Sequence, residues 1–301
     1  MPVLNYSVNQ LPPLLDFIER RRAWTSQGRN LGRQTFQEIL AQPGLDPEAN
    51  CFLLEENGDL QGFCMVTPEI PIGRAVVELE VEVAPRLEGA PGARELVRRA
   101  VERARELGAR VAHMCLPHPS PTTELLVEEG FTLARTYWDM VWRQRELASA
   151  ELPTGFAVRP YHNGDAPVVT QVQNDAFEGS WGFCPNTVEQ IEYRSGMANT
   201  SHQGILLLSE DDRAAGYCWT CLVPVENGTK GIIGMIGVVP DYRGRGISRP
   251  ILLEGMKYLR SIDVTEIALQ VDGSNAPAIG LYTSVGFEKA GESQWFGREL
   301  P

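Results

Sequence analysis

The pattern of apolar and polar positions along the chain occurs twice. In the first half, two apolar runs flank a polar turn in residues 51–64, and residues 205–218 repeat that arrangement in the second half. Each pair reads as a β-hairpin, because short apolar runs bounded by turn residues are typical of strands. A further apolar run ending at a proline follows in each half, in residues 76–85 and 232–240. The period of about 155 residues predicts two copies of one structural unit.

In both halves, the strands are followed by the same series of elements, beginning with a helix. After a glycine-bearing loop, apolar residues recur at helical spacing in residues 96–104 and again in residues 251–259. Each half then has a short strand and a helix that ends in Gly-Phe, with the glycine at Gly130 and at Gly286. A glycine at that place fits a helix C-cap, and the phenylalanine after it begins a terminal strand.

These elements predict an α/β fold of mixed type. We expect two tandem domains, each with a mixed, mostly antiparallel sheet flanked by helices. Residues 148–155 between the copies have the composition of a linker. The boundary is therefore placed near residue 150, with a first copy in residues 1–150 and a second copy in residues 151–301.

Composition narrows the class of function. The 301 residues are 43% hydrophobic and carry a formal net charge of −12. Such an acidic chain argues against a nucleic-acid partner, because phosphate backbones are bound by clustered Lys and Arg. An acidic surface is compatible with a cationic or amine substrate, and it is equally explained by solubility alone. No apolar run approaches the roughly 20 residues that span a bilayer, so we expect no membrane partner and a cytoplasmic location.

Cysteine and histidine positions favour no metal or redox centre. The six cysteines fall mostly inside apolar runs, which predicts reduced, mostly buried thiols. Cys218 and Cys221 form a C-x-x-C within a segment that reads as a strand, not as a loop before a helix. The histidines lack metal-ligand spacing and give no support to a His-based triad; they are His113, His118, His162 and His202.

The most specific chemistry lies where a strand passes into a helix at residues 236–248. Glycines let the backbone approach an anion closely, and a helix that begins there directs unpaired N–H groups and its positive dipole end toward it. Arg243, Arg245 and Arg249 add charged donors in an otherwise acidic chain. Pro250 falls in the first helical turn, where its missing N–H costs little. The passage therefore predicts a diphosphate site.

Two motifs resemble the GNAT superfamily of N-acetyltransferases. The passage Arg243-Gly244-Arg245-Gly246-Ile247-Ser248 is similar to the acetyl-CoA motif of that family, although Ser248 departs from its final Gly or Ala. Residues 269–287 resemble the strand, Asn-x-x-Ala helix start, Leu-Tyr and Gly-Phe that follow in the family. The tandem layout, with residues 174–183, further resembles two-domain enzymes typified by mycothiol synthase.

The resemblance implies acetyl-CoA as a co-substrate bound by the second copy. It implies that backbone N–H groups on the strand before the loop hold the thioester and pantetheine, that Tyr282 is the general acid, and that Asn275 lies by the pantetheine arm. Alternatively, Tyr282 is a packing aromatic and Asn275 an ordinary helix N-cap. The implied cofactor-binding residues are Ile236, Gly237, Val238, Arg243, Gly244, Arg245, Gly246, Ile247, Ser248 and Asn275.

The general base is not evident, because residues 231–236 contain no acid where relatives often keep a Glu. An ordered water, Glu178 or Asp175 is an alternative base, and either acid is also explained as a solvated helix residue. The aromatic cluster falls where the family's acceptor loop lies, and core packing explains it equally. The candidate substrate residues are Glu178, Phe177, Trp181 and Phe183.

The first copy lacks this pattern in its equivalent loop, residues 83–94. Glu88 stands in place of Arg243, Pro91 removes a backbone donor, and Leu126 stands in place of Tyr282. A carboxylate near a pyrophosphate is unfavourable. We expect that the first copy has lost catalysis and serves as support or as one wall of the acceptor cleft.

The sequence thus predicts an N-acetyltransferase that transfers an acetyl group from acetyl-CoA to a primary amine of a small molecule or a peptide, without a metal. The alternative is a non-catalytic acyl-CoA-binding sensor or scaffold, since the strand carboxylate is missing. A nucleotide-binding protein is disfavoured, because no Lys-Ser/Thr follows Gly246 and no ribose-binding acid stands at dinucleotide spacing.

Overall fold

A computed structural model of the chain describes residues 3–23, 32–81, 91–144 and 146–301. The chain divides into two compact units: a first unit of Met1–Tyr137 with Gly291–Pro301, and a second unit of Trp138–Ala290. Within the described residues, no helix combines the length and the apolar character that crossing a bilayer requires.

The first copy supplies six strands and five helices in the described residues. They are β1 (Val3–Asn5), α1 (Leu11–Ala23), α2 (Gly32–Leu40), α3 (Pro47–Asn50), β2 (Cys51–Glu56), β3 (Asp59–Glu69), β4 (Arg74–Val81), α4 (Pro91–Glu106), β5 (Val111–His118), α5 (Thr123–Glu128) and β6 (Thr132–Trp142). Helix α4 packs its apolar side on one face of the sheet, and α1 and α2 pack on the other.

The second copy repeats this plan. Its elements are β7 (Phe156–Pro160), α6 (Ala166–Phe177), α7 (Val188–Ser195), β8 (Ile205–Glu210), β9 (Arg213–Val225), β10 (Gly228–Val238), α8 (Ser248–Ser261), β11 (Ile267–Asp272), α9 (Ala276–Ser284) and β12 (Glu288–Glu299). Helices α8 and α9 bury an apolar cluster against one face of the sheet, and α6 and α7 bury another on the opposite face.

The sheet is mixed and mostly antiparallel, as predicted. In the first unit the strand order is β1-β2-β3-β4-β5-β12, and only β4 and β5 are parallel among the registered pairs. In the second unit the order is β6-β11-β10-β9-β8-β7, with β10 and β11 parallel. Both predicted hairpins are present, as β2-β3 and β8-β9.

The two Gly-Phe helix ends are also confirmed. Gly130 and Gly286 follow α5 and α9 with φ of +81° and +98°, the left-handed conformation that a glycine C-cap adopts. Phe131 and Phe287 are each 1% exposed and precede β6 and β12.

Each unit contains part of the terminal strand of the other copy. Strand β12 pairs with β5 in the first unit, from Glu292 opposite His118 to Glu299 opposite Val111. In the second unit, β6 lies beside β11, and Asp139 accepts a hydrogen bond of 2.6 Å from Gln270. The boundaries between the two compact units therefore fall inside β6 and β12. The boundary near residue 150 separates the two copies of the sequence pattern, and it stays a prediction.

Candidate functional site

Strands β10 and β11 separate before either one ends. They pair in parallel at Gly231 with Ile267 and at Ile232 with Ala268. Beyond these positions β10 runs on to Val238 with no further registered pairing to β11 in the described chain, while its pairing with β9 continues to that residue. In the described part of the chain, the last residues of β10 therefore have one edge without a registered neighbouring strand.

A β-bulge accompanies this separation. The register between β10 and β9 shifts between Ile233 and Met235, which leaves Gly234 as the extra residue. A bulge bends its strand and increases the local twist. The bend lies immediately before Ile236, Gly237 and Val238, for which the family resemblance implies thioester binding.

The direction of the amides on β10 follows from the hydrogen bond of 3.0 Å that Val239 donates to the carbonyl of Ala215. In an antiparallel ladder, every second residue exchanges hydrogen bonds with the facing strand. Gly237 therefore faces β9. Ile236 and Val238 direct their N–H and C=O groups to the open edge.

Two of the three predicted strand residues thus present amides where no strand competes for them. The carbonyl of Val238 confirms this orientation, because it accepts a hydrogen bond of 3.2 Å from Nε of Arg243. Gly237 instead provides close packing: a Cβ built on it would lie 2.8 Å from Cβ of Ala176 and 3.0 Å from Cε2 of Phe177.

The loop after β10 opens its backbone to solvent. A short 3-10 turn at Pro240–Tyr242 ends the strand direction, and the following Gly244 and Gly246 have φ of +77° and +78°. Side chains are strained in this left-handed region, whereas glycine adopts it freely. A Cβ on either glycine would meet nothing within 4 Å, so the space over the backbone is open.

Helix α8 begins without a cap. Its N-cap residue, Ile247, provides no side-chain hydrogen bond to the first turn. Among the residues that the structure describes, the amides of residues 244–248 donate to no protein acceptor. The helix dipole adds a positive potential at the same place. The residues present therefore fit a diphosphate, through main-chain donors.

The guanidinium of Arg243 connects three segments. In addition to its bond to Val238, it donates through Nη2 to the carbonyl of Ala176 at 2.8 Å. Ala176 lies in the last turn of α6, where carbonyls have no partner within the helix. Arg243 thereby fixes the end of β10, the loop and the end of α6 to one another.

The other two loop arginines are also bonded by the protein. Arg245 forms an ion pair with Glu210, with Nη1 and Oε2 3.1 Å apart. Arg249, in the first turn of α8, donates through Nη1 to Oγ and to the carbonyl oxygen of Ser284 at 2.7 and 3.2 Å. Their predicted role as direct phosphate donors stays a prediction.

Tyr282 lies in the core beneath α8. It is 7% exposed, and its ring meets that of Phe287 at 5.9 Å in an edge-to-face arrangement. Burial raises the pKa of the Tyr282 phenol, with a smaller contribution from Cys218. Tyr282 is therefore both a packed aromatic and a protonated phenol at neutral pH, a state in which it can donate a proton.

Asn275 caps α9. Its Oδ1 accepts a hydrogen bond of 3.2 Å from the amide of Ala278, which is the ordinary N-cap arrangement. The contact with a pantetheine arm that the family resemblance implies for Asn275 stays a prediction.

The predicted acceptor segment forms a closed loop between α6 and α7. The side chain of Asn174 closes it, because it donates to the carbonyl of Asn186 at 3.0 Å and accepts from the amide of Asn186 at 2.9 Å. Inside the loop, Phe177 and Phe183 stack with centroids 5.4 Å apart. Phe177 also touches Gly237, so the loop begins against the end of β10.

The remaining residues of this segment are more open. Trp181 is half-buried, and Glu178 is exposed just past the end of α6. Asp175 is half-buried and accepts a hydrogen bond of 3.2 Å from Gln171. No acid lies on β10 itself, so both carboxylates stay candidates for a base.

The family comparison agrees with this geometry. The Acetyltransferase (GNAT) family matches residues 17–120 and residues 167–287, which together form more than half of the chain. The chain belongs to the GNAT family. As a GNAT protein it is an acyl-CoA-dependent acetyltransferase, and its two matched regions correspond to the two copies.

Relatives of this GNAT protein include the mycothiol acetyltransferases of two bacteria. That of Thermobispora bispora is 30% identical over 269 residues, covering 84% of this chain and 85% of the relative. That of Rhodococcus jostii is 31% identical over 274 residues, covering 84% of each.

Solved structures share the fold over nearly the whole chain. A GCN5-related N-acetyltransferase from Sphaerobacter thermophilus matches with a TM-score of 0.74 at 21% identity, covering 99% of this chain and 95% of its own. A tandem GNAT protein from the clavulanic acid biosynthesis pathway matches with a TM-score of 0.75 at 15% identity, covering 100% and 99%.

The first GNAT copy differs at the places that define the site. Leu126, in the position of Tyr282, is fully buried and apolar. Pro91 is the first residue of α4, where it supplies no N–H. Glu88 and most of the loop in residues 83–94 lie outside the described residues, so the loss of catalysis in the first copy stays a prediction.

Sequence reasoning missed the residues that hold the GNAT loop from outside. Glu210, Phe156 and Tyr242 gather around Arg245, and the carbonyl of Ala176 binds Arg243. Glu210 is 35 residues from Arg245 in the chain, and no local pattern links them. Only the alignment of β8 with its neighbours in the sheet brings that carboxylate to the loop.

Tyr217 was also missed. Its side chain is fully buried, its hydroxyl has no hydrogen-bond partner in the described residues, and burial raises its pKa. In the first copy the corresponding strand position is Phe63, which is 0% exposed. An unpartnered buried hydroxyl costs about 1–3 kcal/mol. A phenylalanine fills the corresponding position of the first copy, so packing does not require the hydroxyl of Tyr217. The hydroxyl is a polar feature that the second copy has and the first copy lacks.

The close contact at Gly237 generates a stability prediction. We expect Gly237→Ala to destabilise the protein by about 1–3 kcal/mol, because the new methyl group overlaps Ala176 and Phe177. Gly280→Ala is the matched control: nothing lies within 4 Å of its Cβ position on α9, so it should stabilise by about 0.5–1 kcal/mol. Urea denaturation followed by circular dichroism measures both. Equal stability of the two variants would contradict the packing described.

Proposed function

We propose that this protein transfers the acetyl group of acetyl-CoA, bound where β10 passes into α8, to a primary amine of a small molecule or a peptide. The observation that carries the proposal is two groups of free main-chain donors on one segment of the chain, separated by the bonded amides of Val239, Tyr242 and Arg243. The first group is Ile236 and Val238 on the open edge of β10, and the second is residues 244–248. Strand amides suit a thioester carbonyl, and loop and helix amides suit a pyrophosphate.

The second copy also contains groups that acetyl transfer needs, in addition to those that would bind acetyl-CoA. Transfer from a thioester to an amine needs a polarised carbonyl, an uncharged amine and a proton for the departing thiolate. The amides of Ile236 and Val238 are assigned to polarise the thioester carbonyl, and Tyr282 is assigned to protonate the departing thiolate. A phenol is protonated at neutral pH, and burial, which raises the pKa of Tyr282, keeps it so.

The acceptor side is assigned to the loop between α6 and α7. Phe177, Trp181 and Phe183 provide apolar walls, and Glu178 provides a negative charge that favours a cationic amine. The relatives named mycothiol acetyltransferase support a small molecule as the acceptor. Deprotonation of the amine is assigned to an ordered water or to a carboxylate of this segment, Asp175 or Glu178. No metal enters the proposal, and a cytoplasmic location stays part of it.

Thiol release tests the transfer itself. The purified protein with acetyl-CoA is expected to release thiol faster when a primary amine is present, across a panel of amino sugars, amino acids and peptide N-termini. Tertiary amines of matched structure serve as controls, since they cannot form a stable amide. Background hydrolysis with every amine, despite bound acetyl-CoA, would favour the alternative of a non-catalytic acyl-CoA sensor or scaffold.

Removal of one hydroxyl tests the proton donor. We expect Tyr282→Phe to lower kcat by about 100-fold or more, since a positioned acid contributes about 10²–10⁴-fold. The KM for acetyl-CoA should change little, because the ring still packs on Phe287. Tyr258→Phe, which removes a hydroxyl from half-buried Tyr258 on α8, is the control and should leave kcat unchanged. Full turnover by Tyr282→Phe would reject the acid role.

A further inference from the structure

The guanidinium of Arg245 is bonded to a strand outside the loop that carries it. Arg245 stands between the two left-handed glycines, yet both of its terminal nitrogens bond the carboxylate of Glu210. We propose that Glu210 is a positioning residue for acetyl-CoA binding: through Arg245 it fixes the direction of the loop amides, and Arg245 is not itself a phosphate ligand. This inference rests on the proposed function of the loop.

Glu210 is a rigid anchor. It is the last residue of β8, and both neighbouring strands pair with it, through Phe156 on β7 and Arg213 on β9. The ion pair is bidentate, with Nη1 and Oε2 3.1 Å apart and a second, shorter bond between Nη2 and Oε1. A two-bond pair fixes the orientation of the guanidinium plane as well as its position.

Two aromatic rings complete the attachment. The guanidinium carbon of Arg245 lies 5.0 Å from the centroid of Phe156 and 5.0 Å from that of Tyr242. The rings themselves meet edge to face at 6.0 Å. Hydrogen bonding from Arg245, with a smaller contribution from Tyr242, lowers the pKa of Glu210, so the carboxylate is ionised at neutral pH.

The loop needs such an attachment. Gly244 and Gly246 contribute no side chain that could hold the backbone, and glycine has the largest conformational freedom to lose on ordering. Arg243 fixes the beginning of the loop, and Arg245 is the side chain between the two glycines. A loop ordered before the ligand arrives binds it with a smaller entropic cost.

The alternative account makes the opposite prediction for one substitution. If Arg245 were a direct phosphate ligand, Glu210 would compete with the phosphate for it. Glu210→Gln would then release the guanidinium and remove a negative charge near a polyanion, and acetyl-CoA would bind more tightly. If Glu210 positions the loop, the same substitution weakens binding.

The experiment is isothermal titration of the full chain with acetyl-CoA, together with steady-state kinetics. We expect Glu210→Gln to raise Kd by about tenfold and to raise the KM for acetyl-CoA similarly, with little change in kcat. Asp212→Asn is the matched control, because it removes a negative charge from the turn next to Glu210 at an exposed residue without a contact to Arg245. Its Kd should stay within about twofold of the wild type.

The double variant Glu210→Gln with Arg245→Gln tests whether the two residues act together. Positioning predicts that the second substitution adds little to the first, since both remove one attachment. A further large loss in the double variant, or unchanged or tighter binding by Glu210→Gln, would overturn the inference and leave the proposed function standing. Absence of acetyl-CoA binding by the wild-type protein would overturn both.

Discussion

The candidate site in the second unit depends on five consecutive amides, in residues 244–248, that have no protein acceptor among the residues that the structure describes. Backbone N–H groups are nearly always hydrogen-bonded, so a run of free donors is maintained only where solvent or a ligand receives them. Two features accompany this run: the left-handed glycines and the uncapped start of α8. The separation of β10 from β11 leaves a second pair of amides, those of Ile236 and Val238, at an open strand edge. In the proposed function, the strand amides bind the thioester and the loop amides bind the pyrophosphate of acetyl-CoA.

The structure gives the loop arginines bonds to the protein, and their role as phosphate ligands stays a prediction. Three arginines beside a glycine loop in a chain of net charge −12 indicate a set of phosphate ligands. In the structure, Arg243 binds two carbonyls, Arg245 binds Glu210, and Arg249 binds Ser284. Each arginine therefore joins the loop, or the helix after it, to another element. In the proposed site the guanidinium groups add positive potential, and the main chain is assigned the directed donors.

The sequence predicted those parts of the fold that depend on local periodicity. The hairpins, the amphipathic helices and the Gly-Phe helix ends are present where the pattern predicts them, because each depends on residues within about ten positions of one another. The partners of the loop could not be predicted, since Ala176 is 67 residues from Arg243 and Glu210 is 35 residues from Arg245. The distribution of β6 and β12 between the units was also beyond prediction, because the pattern identifies a strand and not its neighbour. Tyr217 was missed for a related reason: an aromatic residue in a buried strand is ordinary until its hydroxyl is found without a partner.

The central claim, that free amides of the second copy bind the pyrophosphate of coenzyme A, is tested most directly by amide spectra of glycine-labelled protein. Titration with acetyl-CoA should shift the resonances of Gly244 and Gly246, and titration with acetyl-pantetheine, which lacks the pyrophosphate, should not. Gly58, which has a φ of +87° and open space around it in the first unit, is the matched reference and should not move. Shifts confined to glycines of the first unit, such as Gly92, with Gly244 and Gly246 unchanged at saturating acetyl-CoA, would contradict the account.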